Sequence, residues 1–145
     1  MFYLEDTSTS VMRSLTFLLF LLPVFPLSYS RVDKQGSVCT IVPSPDGGDD
    51  SSSIISAFQQ CNKDASVVFQ NETYHIERTM VTHGLQNVSV DVQGTLLWGT
   101  NITYWRNNGI PLGYLNMTSA WDFSGSNIHW EGHGFGTFDG NGQIW

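Results

Sequence analysis

The segment Asn127–Trp145 reads NIHWEGHGFGTFDGNGQIW. Ile128 and Trp130, then Phe135 and Phe138, mark two short strands, and Gly132, Gly134, Gly136, Gly140 and Gly142 punctuate them. Strand, bend, strand and bend follow one another within nineteen residues. Glycine at such bends lets one turn of backbone lie close against the next, as stacked coils of short strands require.

A weaker copy of this text stands upstream. Gly84-Leu85-Gln86-Asn87-Val88-Ser89-Val90 and Gly125-Ser126-Asn127-Ile128-His129-Trp130 share a glycine, an asparagine, a β-branched residue and an apolar residue. Each leads to a Gly-Thr-apolar step, Gly94-Thr95-Leu96 in one case and Gly136-Thr137-Phe138 in the other. A unit repeated with loops of different length is the sequence form of a solenoid, here a parallel β-helix.

Between these copies and the amino terminus, strand signals come in quick succession. Val38–Val42 reads as a short edge strand, followed by Val67–Phe69, Tyr74–Ile76, Met80–Val81, Val88–Val92 and Thr95–Trp98. Their spacing also suits a sandwich or barrel. One helix is expected, from about Ser52 to Gln60, because Ile54, Ile55, Ala57, Phe58 and Cys61 fall on one face. Its task would be to cover the first coil, whose bare edge invites pairing with other chains. Thr100–Met117 breaks the rhythm and reads as a long loop thrown out from one coil.

Gly94–Leu97, the run Tyr104-Trp105-Arg106-Asn107-Asn108 and above all Gly132-His133-Gly134 through Gly136-Thr137-Phe138-Asp139-Gly140-Asn141-Gly142-Gln143 resemble the N-terminal part of fungal exopolygalacturonases, in glycoside hydrolase family 28. The resemblance runs from about Cys39 to the last residue. It implies an all-β fold, a right-handed parallel β-helix of the pectin lyase-like kind, with an N-terminal capping helix and truncated on its C-terminal side. It also implies inverting, exo-type hydrolysis of α-1,4-galacturonosyl bonds in pectin, without metal or other cofactor. The family's Asn-x-Asp, Asp-Asp, Gly-His-Gly and Arg-x-Lys motifs follow the Asp-Gly-Asn-Gly-Gln segment, and none follows it here. Gly132-His133-Gly134 precedes that segment, so the catalytic histidine is not carried onto His133. No catalytic residue is assigned in this chain, which is expected to be inactive alone.

Residues 1–30 read as a signal peptide: Leu15–Leu22 is almost wholly apolar, Arg13 precedes it, and Ser28-Tyr29-Ser30 offers a cleavage site. The apolar run is short for a membrane span, which leaves a signal anchor as the other reading. Glu5 and Asp6 are wrong for the leading segment of a signal, and translation from Met12 would repair this. Residues 31–145 would then be the mature part, the opening coils of an incomplete hydrolase domain. Secretion agrees with four Asn-x-Ser/Thr sequons at Asn71, Asn87, Asn101 and Asn116. In an oxidising compartment Cys39 and Cys61 form a disulfide more readily than they stay free, and two thiols give a zinc site little support.

Eleven acids and five bases leave residues 31–145 at −6. That excludes nucleic acid and anionic membranes as partners, since no basic patch is available. It sits awkwardly with a polyuronate, which needs local cations, and only Arg31, Lys34, Lys63, Arg78 and Arg106 are on hand. Tyr104, Trp105 and Arg106 are the candidate substrate-binding residues: aromatics to stack on pyranose faces and a guanidinium to pair with a uronate. The other reading is that the aromatics pin the loop to the coil beneath.

Three further constellations are weighed. His129, Glu131 and His133 alternate and could share a metal, or be the polar outer face of a strand whose other face carries Trp130. Asp46, Asp49 and Asp50 lack calcium-loop spacing and are better explained by the helix that follows. Asp122, Glu131 and Asp139 are the carboxylates a glycosidase could pair, although Asp139 suits a turn that bonds its own backbone. The expected partner is pectin, the full-length protein a monomer, and the place extracellular. A non-catalytic pectin-binding module and a hydrolase of rhamnogalacturonan or xylogalacturonan are the alternatives.

Overall fold

Val67 and Phe69, Tyr74 and Ile76, and Val88, Val90 and Val92 are buried at every second position, the period of strands with one face in a core. The computed structural model describes residues 31–113 and 116–144. The expected leader and the proposed start at Met12 lie outside the described residues.

In chain order the elements are β1 (Val32–Gln35), β2 (Val38–Ile41), α1 (Ser51–Gln60), β3 (Lys63–Phe69), β4 (Thr73–Ile76), β5 (Met80–Val92) and β6 (Thr95–Trp98). There follow α2 (Ile102–Asn108), β7 (Ile110–Pro111), β8 (Thr118–Ser119), β9 (Trp121–Glu131), β10 (Thr137–Asp139) and a 3-10 turn, Gly142–Ile144. One sheet has the order β1-β2-β3-β5-β9, and a second has β10-β6-β4. Every pairing in them is parallel except β1 with β2. From β3 to β6, and again from β9 to β10, the chain alternates between the two sheets, so each pass lays one strand on each. This arrangement of parallel sheets with few helices is consistent with a β-helix.

The register aligns the repeat recognised in sequence. Val88 faces Ile128 and Val90 faces Trp130, while Leu96 lies between Tyr74 and Phe138. Apolar side chains therefore stack from pass to pass, and Tyr74, Phe58 and Phe69 are fully buried among them. The Tyr74 hydroxyl donates to the Ile41 carbonyl at 3.2 Å, so burial of the ring leaves no polar atom stranded.

Helix α1 buries Ile54, Ala57 and Phe58, as its period predicts. β3 pairs with β5 only from Gln86 onward, and α1 packs where a strand would otherwise meet the first half of β5. Asp50 is its N-cap residue but makes no capping bond; its carboxylate accepts from the Ser44 and His75 amides instead, at 2.7 and 2.9 Å. Asp49 serves the helix start by accepting from the Ser51 amide and hydroxyl. Cys39 and Cys61 are joined, tying β2 to the end of α1.

Several local expectations are corrected. Val38–Ile41 is not an edge strand, because β1 covers it antiparallel. Met80–Val81 and Val88–Val92 belong to one strand that kinks at Gly84 and Asn87, both with positive φ. Phe135 is not in a strand; it sits in the turn before β10, held by the amide-to-carbonyl bond from Gly136 to Gly132. Thr100–Met117 is not simply a loop, since it folds into α2 and the β7–β8 pair.

Candidate functional site

The candidate site forms where β6 ends and α2 begins. Asn101 caps α2, its side-chain oxygen accepting from the Tyr104 amide at 2.9 Å. Gly99 stands at that junction, with the Glu77 carboxylate close against it. Trp105 is buried and its indole N–H donates to the Gly99 carbonyl at 2.8 Å. The Tyr104 ring meets Trp105 edge-on at 5.1 Å, and its hydroxyl accepts from the Thr79 amide at 3.3 Å. Both aromatics therefore anchor α2 to the passes beneath it.

Arg106 is placed differently. It is exposed and makes no ion pair among the described residues. With Trp98, Trp105, Ser119, Ala120 and Gly140 it lines an open, mainly apolar cavity of about 420 Å³. The expected trio thus divides: Arg106 and Trp105 line the cavity, and Tyr104 is not among its lining residues.

Trp98, Ser119 and Gly140 are the residues sequence reasoning did not bring to this place. Trp98 stacks on Phe138 at 5.9 Å, the two coming from adjacent strands of the second sheet. Its indole N–H is buried and has no partner among the described residues. Its carbonyl accepts from the Asn141 side chain, which locks the Asp-Gly-Asn-Gly segment against β6. Aromatic residues one pass apart were the available signal, but only the parallel register says which of them meet.

The remaining constellations have local partners. His133 contacts Asp91 at 2.7 Å and Glu131 at 3.8 Å, and His129 contacts Glu131 at 3.6 Å. His133 has a φ of 52° and lies beyond the end of β9, so the expected three-residue alternation on one strand stops at Glu131. Asp122 pairs with His83 at 2.8 Å, and Asp139 accepts from the Asn141 amide at 2.8 Å, the turn role expected of it. Among the described residues no group of three or more His, Cys, Asp or Glu could hold a metal.

Two carboxylates below the site are tuned in opposite directions. Burial raises Asp50, against the amides of His75 and Ser44. Burial also acts to raise Asp49, but the Ser51 hydroxyl and amide, Arg78 and the Glu77 amide outweigh it and leave the group lowered. Asp46 is lowered chiefly by the Ser44 hydroxyl. Asn71, Asn87, Asn101 and Asn116 are all exposed. No helix among the described residues is long and apolar enough to cross a membrane.

No protein-family model matches the chain, and no solved structure does. Curated fungal proteins do. An α-L-rhamnosidase of Aspergillus niger is 44% identical over 137 residues, covering 91% of this chain and 32% of its own. A putative galacturan 1,4-α-galacturonidase of the same fungus is 32% identical over 115 residues, covering 79% of this chain and 27% of its own. A probable exopolygalacturonase of A. niger is 36% identical over 121 residues, covering 83% and 26%. The chain spans about a third or less of the length of these relatives. With parallel sheets built from the Gly-rich repeat and relatives of this kind along most of its length, the chain is a glycoside hydrolase family 28-like sequence.

Proposed function

We propose that residues 31–145 are the opening coils of a secreted, N-glycosylated glycoside hydrolase that acts on pectic polysaccharide, built as a right-handed parallel β-helix. The strand-by-strand alternation between two parallel sheets is how such a coil closes, and α1 protects its first open edge. Further coils would pair with β9 and β10, whose outer edges are bare among the described residues, and would cover Phe138, 54% exposed. Residues 1–30 direct export, and the finished protein acts extracellularly as a monomer.

The reaction is exo-type hydrolysis of α-1,4-galacturonosyl bonds with inversion. One carboxylic acid protonates the leaving oxygen while a carboxylate activates water on the opposite face of the sugar. Those groups belong to the further coils, because Asp122, Glu131 and Asp139 each already hold a local partner. This chain contributes one wall of the substrate site. The carrying observation is the cavity beside α2, where Arg106, which makes no ion pair among the described residues, lies next to Trp98 and Trp105. Arg106→Ala in the full-length enzyme should raise KM for oligogalacturonate about tenfold and leave kcat unchanged, as loss of one charge-assisted contact predicts. Unchanged KM rejects the site.

A second reading is favoured by the 44% identity to the α-L-rhamnosidase, above that to the galacturonidase and exopolygalacturonase compared with it. In it, the same scaffold serves a hydrolase of rhamnogalacturonan. Product analysis on homogalacturonan and rhamnogalacturonan separates the two. Detectable binding by residues 31–145 with no activity in any longer product would instead favour a non-catalytic pectin-binding module.

A further inference from the structure

Asn71, Asn87, Asn101 and Asn116 each open an Asn-x-Ser/Thr sequon and all four are exposed, so exposure does not tell one acceptor from another. The backbone does. Asn71 lies in the bend between β3 and β4, Asn116 in the connection between β7 and β8, and Asn101 immediately before the seven-residue α2. Asn101 caps that helix with its side-chain oxygen, which leaves the nitrogen, the atom that takes the sugar, outside the cap. None of the three belongs to β9 or β10, the strands on which further coils would stack.

Asn87 is placed otherwise. It stands inside β5, and the rest of its sequon is paired on both sides, Val88 with Ala65 of β3 and Ile128 of β9, Ser89 with Ser66 and His129. Its side-chain nitrogen donates to Asp64 at 2.9 Å, and its oxygen accepts from Asn127 at 2.7 Å. A glycosyltransferase must draw the whole sequon into its own site. At Asn71 or Asn116 that displaces a connection, and at Asn101 one turn of a short helix. At Asn87 it parts β5 from β3 and bares Val88 and Val90, which are 1% and 0% exposed, so the opening approaches unfolding of the sheet. β3 also precedes β5 in the chain, so β5 has its partner as soon as it is made.

We propose that the fold sorts these sequons: Asn71, Asn101 and Asn116 carry N-glycans in the secreted protein, and Asn87 is withdrawn into the sheet before a glycan reaches it. This rests on the secreted-glycoprotein reading above and deepens it. The donor is an oligosaccharide on a polyprenyl diphosphate. In the transfer the asparagine nitrogen bonds to C1 of the sugar, the diphosphate leaves from that carbon, and the nitrogen gives up one of its two protons. The five-stranded sheet, in which only Asn87 of the four lies, then carries no sugar.

The test strips the native secreted protein of N-glycans enzymatically in heavy-oxygen water, which turns each glycan-bearing asparagine into a labelled aspartate, and maps its peptides by mass. Label is expected at Asn71, Asn101 and Asn116 and little at Asn87. Two variants made in a fungal secretory host locate the cause, read in the pooled cellular and secreted protein so that chains that fail to fold are counted. Val90→Ala loosens β5 and leaves the sequon intact, so it should raise occupancy at Asn87 severalfold. Ser89→Thr alters the sequon and leaves the strand paired, so it should not. Asn87 labelled as fully as the other three overturns the proposal and leaves the glycoprotein reading standing. No rise in Val90→Ala, or a rise in Ser89→Thr, also overturns it, because the sequon and not the strand would then set occupancy. No label at any of the four removes both.

Discussion

Asn127 and Asn87 occupy neighbouring positions on β9 and β5, and the Asn127 side-chain amide donates to the Asn87 side-chain oxygen at 2.7 Å. The Asn87 amide in turn donates to Asp64 at 2.9 Å, and all three residues have positive φ, between 47° and 53°. Three successive passes are thus pinned at one corner by residues whose short polar side chains tolerate the left-handed conformation. This corner explains why an asparagine recurs in the two copies, at Asn87 and Asn127.

Asn127→Ala should therefore lower stability by about 1–3 kcal/mol, through lost hydrogen bonding and the cost of alanine in a left-handed conformation. Asn127→Gly should recover the backbone part and leave the hydrogen-bond part. Urea unfolding of both variants checks the split; equal losses would remove the conformational contribution.

The Cys39–Cys61 bond closes a separation of 22 residues. Reduction, or Cys39→Ser with Cys61→Ser, should cost about 3 kcal/mol in the chain-entropy model. The same urea midpoint with and without reductant would contradict this.

Trp105 and Arg106 should separate cleanly. Trp105→Ala removes a buried ring and the bond to the Gly99 carbonyl, so it should destabilise the protein by about 3–5 kcal/mol. Arg106→Ala should leave the melting temperature unchanged and reduce affinity for oligogalacturonate. A stability loss at Arg106, or none at Trp105, would reverse the assignment.

The pH dependence has a sign at each end. Asp49 is lowered in the fold, so its contribution is present above its ordinary value of 3.8 and is lost as pH falls through the lower folded value. Asp49→Asn should remove that acid limb. Asp50, raised by burial, acts oppositely and gains as pH falls. Burial, the main cause, pushes Tyr74 from 10.0 to about 12, so the stability it contributes is present below 10.0 and is lost as pH rises through about 12. Ultraviolet titration should find one tyrosine ionising only as the protein unfolds, and Tyr74→Phe should remove that alkaline step.

Much of this architecture was legible because its signals are local. Ile54, Ala57 and Phe58 recur at helical spacing, and α1 spans almost the expected residues. β1 was not legible: Val32-Asp-Lys-Gln35 has one apolar residue, and its pairing with β2 supplies what its own pattern lacks. α2 was hidden by Asn and aromatic residues of modest helix propensity; Trp105 and the Asn101 cap stabilise it from outside. Phe135 looked like a strand residue as an apolar position in a glycine-punctuated stretch, but glycines on either side and the positive φ of His133 turn the chain there. At the site, Arg106 could be picked out as a cation among aromatics. The meeting of Trp98 with Phe138 depends on parallel register, which no single stretch encodes.

The most direct test of the central proposal is the intact mass of the native secreted protein after enzymatic removal of N-glycans. If these residues are the opening coils of a pectin hydrolase, that mass should be well above the mass of residues 31–145, as the longer relatives lead one to expect. A mass equal to that of residues 31–145 would contradict the account.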